Sequence, residues 1–199
     1  MATDLESGPF IRAFKMREIE DRPFMIYGCD DIILTISGIG KANASMATTY
    51  ICTNFAPEWI LNLGAAGATR ESWELGKIYH IEKVIEPDRP HLGSVTPYIQ
   101  TPDVLPGFQN AVLATQDKAV DDIETFQRIA PLADLVDMEG ASVVQAGRRF
   151  EKRCLLFKFV SDTPAHAGQG ELIIEHMKHY GAPFCEFISS SVMPVIKGL

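Results

Sequence analysis

The chain has 199 residues, with 18 basic and 26 acidic side chains for a formal net charge of −8, and 46% of it is apolar. That length buries a full core, and one domain spanning residues 1–199 is expected. The acidic balance argues against a nucleic-acid surface, since Arg148, Arg149, Lys152 and Arg153 read as one exposed helix end. No apolar run approaches the ~18–20 residues of a membrane span. Met1 to Asp4 does not open a secretory signal, so a cytoplasmic location without membrane contact is expected.

Strand and helix patterns alternate along the chain. Asp30 and Asp31 lead into the apolar run 32–36, expected as a buried parallel strand. Ser37-Gly38-Ile39-Gly40 then turns the chain into a helix over 41–54, where Ala42, Ala44 and Ala47 permit close packing and Pro57 marks the stop. The next strand is predicted over 59–63, closed by a turn at Gly64-Ala65-Ala66-Gly67. A long strand follows over 77–86, then a Pro-rich stretch without periodicity over 87–106. A connection of that length inside a compact domain is usually a lid or an interface arm. A short strand over 112–114 and a short helix over 123–129 come next. A helix over 137–150, a strand over 154–160 ended by Asp162, and helices over 171–180 and 183–197 complete the pattern. The order predicts an α/β fold around a mostly parallel or mixed sheet.

Cys29, Cys52, Cys154 and Cys185 show no CxxC spacing and read as reduced, mostly buried thiols. His176 and His179 share a helix face near Glu175 without a third matching ligand, so a solvated face is expected, and no metal or cofactor. Ser37-Gly38-Ile39-Gly40-Lys41 sits between strand and helix, where backbone N–H groups can face an anion or a sugar oxygen. Asn43 stands where a dinucleotide fingerprint needs its third glycine, and a plain tight turn is an equal reading.

Two carboxylate-bearing stretches carry more. Val136-Asp137-Met138-Glu139-Gly140-Ala141 and Phe157-Lys158-Phe159-Val160-Ser161-Asp162 each set an acid at the rim of an apolar run. Ends of strands and starts of helices are where open α/β sheets bind small ligands. Carboxylates there suit proton transfer or hydroxyl recognition. The competing structural readings are a turn cap for Asp162 and a favourable first-turn charge for Glu139.

Taken with Asn62-Leu63-Gly64-Ala65-Ala66-Gly67 and the Ser37 turn, these stretches resemble the nucleoside phosphorylase/nucleosidase superfamily, nearest its hydrolytic branch of methylthioadenosine/S-adenosylhomocysteine nucleosidase and futalosine hydrolase. The resemblance implies a three-layer α/β/α sandwich, hydrolysis of a purine N-glycosidic bond in a small-molecule nucleoside, and a homodimer. It implies Asp162 as general acid at the purine N7, Glu139 on the ribose hydroxyls with Met138 against the sugar, and Glu6 as the group positioning the attacking water. Gly64, Ala65, Asp137, Ser161 and Lys158 would line the substrate. Asn62-Leu63-Gly64 falls where phosphorylases carry a phosphate-binding arginine, which favours water as nucleophile. A phosphorylase and a nucleoside-binding protein with degenerate catalysis are the alternatives, and for Glu6 the competing reading is an exposed surface acid.

The chain departs from that family in three places. The family's opening strand ahead of 2–6 is almost absent, so either the sheet lacks an element or the chain is truncated. Residues 102–109 replace a helix. Ala119 stands near the place of a base-stacking aromatic, with Phe126 as a substitute from the next helix, and Tyr98-Ile99 with Pro97 is expected to contact a second copy. Chemically, purine departure passes through an oxocarbenium-like state, helped by protonating the base and by an anion near the sugar. Asp162 then needs a pKa raised from about 3.9, and Leu155-Leu156-Phe157 supplies desolvation. Lys158 lies four residues from Asp162 along one strand, about 13 Å at ~3.3 Å per residue, and need not pair with it.

Overall fold

A computed structural model describes residues 1–89, 98–120 and 122–199. Val95 and Pro97, expected in the arm's contact surface, lie outside the described residues.

The chain opens with helix α1 (Asp4–Ala13), in spite of Gly8-Pro9 inside it. A capping box compensates: Thr3 accepts from the Glu6 N–H while the Glu6 side chain accepts from the Thr3 N–H. Phe10 of α1 packs edge-on against Phe184 with ring centroids 6.0 Å apart. Next come β1 (Arg17–Glu20), β2 (Met25–Cys29) and β3 (Ile32–Ile36), a three-stranded antiparallel meander. Residues 32–36 are therefore not a buried parallel strand. Asp30, at φ 48°, makes the tight turn that folds β3 back on β2, and Ile33 is 37% exposed. An apolar run alone does not tell these two settings apart.

Helix α2 (Lys41–Phe55) leads to β4 (Trp59–Ala68). Gly64-Ala65-Ala66-Gly67 does not close this strand but lies inside it. β4 pairs in parallel with β9 (Arg153–Asp162) from Trp59 opposite Arg153 to Gly67 opposite Asp162, with a bulge between Ala66 and Gly67. The small residues serve close approach: a Cβ on Gly64 would overlap Glu6 Oε1, and one on Gly67 would sit 2.8 Å from Asp162 Oδ2.

Between β4 and β9 come β5 (Ile78–Glu86), β6 (Tyr98–Gln100), β7 (Asn110–Thr115), α3 (Ile123–Ile129), β8 (Leu135–Asp137) and α4 (Gly140–Arg149). The predicted helix over 137–150 thus begins only at Gly140, because Leu135 to Asp137 pair in parallel with β7. The two predicted C-terminal helices merge into α5 (Gly170–Phe187) with Pro183 inside it, followed by a π turn (Ile188–Val192) and α6 (Met193–Lys197).

The second sheet is mixed, in the order β6-β5-β7-β8-β4-β9. β9 also pairs antiparallel with β5, so β5, β7, β8, β4 and β9 close into a ring. Helices cover it on two sides, as the α/β expectation required. One apolar cluster joins Leu113, Leu135 and Leu156 to Val144 of α4, and another joins Phe157 and Phe159 to Phe10 of α1 and Phe184 of α5. Each such side chain contributes roughly 1.5–3 kcal/mol on burial. β9 is covered on both faces, which is why every residue from Cys154 to Asp162 is buried.

Candidate active site

Three buried carboxylates come from separate elements. Asp162 ends β9 and is 8% exposed. Its Oδ1 accepts from Ser161 Oγ at 2.6 Å. It caps nothing: the short turn after it is closed by Thr163 and His166 instead. Burial pushes its pKa up, partly offset by the Ser161 hydroxyl and by the His166 and His176 rings. The turn-cap reading of Asp162 therefore fails.

Glu139 precedes α4 and is 8% exposed. The first-turn bond of that helix is made by Asp137, whose Oδ2 accepts from Gly140 N–H at 2.9 Å, while the Glu139 side chain makes no capping bond. Glu139 Oε1 accepts instead from Gly40 N–H at 2.8 Å, across from the start of α2. The Gly38–Gly40 turn thus does point a backbone donor into the site. Burial first, and the Asp137 carboxylate second, push the Glu139 pKa up to about 7, against the pull of Lys158.

Lys158, on β9, is 2% exposed and pairs with Asp137 Oδ2 at 2.9 Å rather than with Asp162. Burial alone would lower its pKa, but Asp137 and Glu139 outweigh that and hold it above the ordinary lysine value. Thr115 Oγ1 donates to Asp137 Oδ1 at 2.6 Å and accepts from Ala141 N–H at 3.0 Å. Sequence reading had not singled out Thr115. Its neighbourhood depends on β7 lying beside β8, which no local pattern announces.

Glu6 is the third acid. It is 8% exposed, so it is not a surface acid. Oε2 accepts from Ala2 N–H and Thr3 N–H, both at 3.0 Å, and Oε1 from Ala65 N–H at 3.0 Å. The Ala65 bond ties α1 to β4 and places Glu6 beside Gly64. Met138 is half-buried between β8 and α4.

Two expectations change. Phe126 is 2% exposed and packs in a core with Ile85, Ala114 and Ile129, so it offers no face to a base, while Ala119 is exposed. His176 is not on a solvated face: its Nδ1 lies 2.8 Å from Ser161 O, and its ring meets His166 edge-on at 5.2 Å. His179 and Glu175 are exposed, as expected. Among the described residues, no three His, Cys, Asp or Glu side chains converge for a metal ion. All four cysteines are free, three of them buried. No described helix is long and apolar enough to cross a membrane.

The sequence profile of the Phosphorylase superfamily matches residues 5–119 and 106–192. The chain belongs to that superfamily. A 5'-methylthioadenosine/S-adenosylhomocysteine nucleosidase from Bacillus cereus is 29% identical over 157 residues, covering 66% of this chain and 68% of the relative. Among solved structures, the Arabidopsis thaliana 5'-methylthioadenosine nucleosidase superposes with a TM-score of 0.88 at 21% identity, over 100% of this chain and 94% of that one. The Helicobacter pylori 5'-methylthioadenosine/S-adenosylhomocysteine nucleosidase, bound to butyl-thio-DADMe-Immucillin-A, gives 0.85 at 21% identity, over 97% and 95%. The Helicobacter pylori futalosine hydrolase gives 0.84 at 20% identity, over 97% and 95%. The fold is thus the one these nucleosidase and hydrolase structures share, as the resemblance implied.

Proposed function

We propose that this phosphorylase-superfamily chain hydrolyses the N-glycosidic bond of a purine nucleoside, with a 5′-substituted adenosine as the substrate class its nucleosidase relatives suggest. The observation that carries this reading is Asp162: a buried carboxyl, raised in pKa, with one hydroxyl partner and no capping duty. Such a group keeps its proton to higher pH than a free aspartate and can deliver it to a leaving base.

Glu139 receives the ribose hydroxyls. Its carboxylate has one oxygen committed to Gly40 N–H, and its remaining lone pairs suit two hydroxyl donors. A negative charge there also favours the sugar cation that develops as the bond breaks. Lys158 and Asp137 act through Glu139: the ammonium keeps part of the local negative charge compensated, and Asp137 fixes the start of α4. Met138 lies against the sugar. Glu6, held from both oxygens by backbone donors, positions the water, with Ser161, Gly64 and Ala65 lining the cleft. Asn62-Leu63-Gly64 brings no arginine to β4, which supports water over phosphate.

Incubation with a panel of purine nucleosides, with and without phosphate, tests this. Free base and ribose should form at a rate independent of phosphate. Release that rises with phosphate and yields ribose 1-phosphate makes the chain a phosphorylase; tight binding without release makes it a nucleoside-binding protein.

The same reading extends to a homodimer. Tyr98 and Ile99 on β6 are 45% and 51% exposed, and the Arg89 guanidinium lies 4.1 Å from the Tyr98 ring centre. A functional dimer through this arm should bury at least ~1,000 Å² in total. Light scattering checks it: a monomer at micromolar concentration that still cleaves substrate removes this arrangement.

A further inference from the structure

Asp162 sits where β9 loses its neighbours. Towards residues 76–77, the last bonds are Gly76 N–H to Val160 O at 2.8 Å and Val160 N–H to Lys77 O at 3.0 Å. Towards β4, the register passes from Ala66 opposite Val160 to Gly67 opposite Asp162. Among the described residues, Ser161 therefore faces no residue of β4 and is the extra member of a bulge. A bulge re-aims the side chain beside it and leaves main-chain groups for something other than a strand to satisfy.

Two imidazoles meet that need. His176 of α5 holds its Nδ1 2.8 Å from Ser161 O, so this nitrogen carries a hydrogen and donates it. Thr163 N–H donates to His166 Nδ1 at 3.1 Å, so that nitrogen is bare and the ring hydrogen is on Nε2. The carbonyl before Asp162 and the amide after it are the two groups that one residue of a parallel neighbour would bond. Here the two rings take the neighbour's place. They also brace each other edge-on, with centroids 5.2 Å apart and planes at 86°. α5 gives them a fixed base, since its Phe184 packs against Phe159 of β9 at 5.1 Å and against Phe10 of α1 at 6.0 Å.

The peptide planes on either side of a residue define its φ and ψ, the only soft dihedrals of its backbone. Those angles set the direction of the Cα–Cβ bond. Holding both planes therefore aims the Asp162 carboxyl. Both rings also oppose the upward push of burial on that carboxyl, which puts them within its electrostatic reach. We propose that His166 and His176 are a positioning pair, which fixes the main chain on both sides of Asp162 and so points its carboxyl at the leaving base. This rests on the reading of Asp162 as general acid. Neither ring has to touch the substrate. Proton transfer needs the donor within about 2.6–3.2 Å of its target, so a small swing of the carboxyl is costly.

His166→Phe and His176→Phe keep an aromatic ring and lose the hydrogen bond. Each should lower kcat for purine nucleoside cleavage by ~10-fold or more, with KM changed less than ~2-fold. His166→Asn can still accept from Thr163 N–H and His176→Asn can still donate to Ser161 O, so each should recover most of the lost kcat. The Thr163 amide should exchange at least ~10-fold faster in His166→Phe than in the parent or in His166→Asn. Equal kcat losses in the Phe and Asn variants, in step with a fall in Tm, would mark the rings as plain packing and overturn the proposal. So would unchanged Thr163 exchange in His166→Phe, whatever the activity. A parent that releases no base, while Thr163 protection still depends on His166, would instead remove the reading of Asp162 as general acid and leave the pair no acid to aim.

Discussion

Asp162 and Glu139 are equally exposed, 8% each, and burial is the first cause of the raised pKa in both, yet their surroundings make them different instruments. Asp162 stands in a corner without an ion pair among the described residues, with a single hydroxyl at 2.6 Å and the His166 and His176 rings nearby. Glu139 stands in a charged corner, beside the Asp137–Lys158 pair and under the Gly40 N–H. Burial alone sets the starting point, a carboxyl reluctant to ionise. Neighbours then decide the use. With no cation paired to it among the described residues, Asp162 suits proton transfer, whereas Glu139, in contact with an ammonium's field and a backbone donor, suits a fixed receptor for hydroxyl groups.

The strongest way to break this comparison is to remove the cation from the charged corner. Lys158→Met leaves Asp137 buried without its partner, which should destabilise the fold by about 3–5 kcal/mol in urea unfolding. Adding Asp137→Asn should recover much of that loss. If Lys158→Met alone is as stable as the parent, the pair does not organise this corner.

The Asp162 corner is tested next. Asp162→Asn should lower kcat by ~10²-fold or more with KM little changed, since the group acts on the leaving base rather than on binding. The parent's kcat should fall as pH rises through the raised pKa of Asp162, and the variant should lack that alkaline limb. Near-normal turnover in the variant removes the assignment.

Glu139→Gln tests the receptor role. Charged hydrogen bonds to the ribose hydroxyls contribute about 1.5–3 kcal/mol, so the variant should bind ribosides more weakly and discriminate less against 2′-deoxy analogues. Equal binding of ribo- and deoxyribonucleosides by the parent would remove the role. The same substitution carries a pH signature. The folded pKa of Glu139, about 7, lies above its ordinary value of 4.5, so the folded state favours the proton. Its stabilising effect is complete below about 4.5 and is lost as pH rises through about 7. Stability of the parent relative to Glu139→Gln should decline across that window.

The smallest effect sharpens the picture of how the charged corner is held. Thr115→Val removes a hydroxyl that bridges Asp137 and the Ala141 N–H, at a cost of about 1–3 kcal/mol in stability. Turnover should change only through altered placement of Glu139, so KM should move more than kcat; the reverse pattern would show that Thr115 touches the chemistry.

The chain's own order determined a good deal. Alternating apolar runs and helix signals gave the α/β class, and the two acidic motifs marked Glu139 and Asp162, because a carboxylate at the rim of a buried run is expensive unless something uses it. Other features had no local signature. Gly64 to Gly67 read as a turn because small residues usually mark one, and only the approach of Glu6 and Asp162 to that strand explains why they lie within β4. Residues 32–36 read as a parallel strand because an apolar run is silent about which neighbour covers it. Lys158 could not be assigned to Asp137 from spacing, since the pair joins β9 to β8 across the sheet. Local sequence fixes backbone period and turn chemistry at short range. Which buried charge meets which partner depends on strand order and register, and those are settled only when the whole sheet closes.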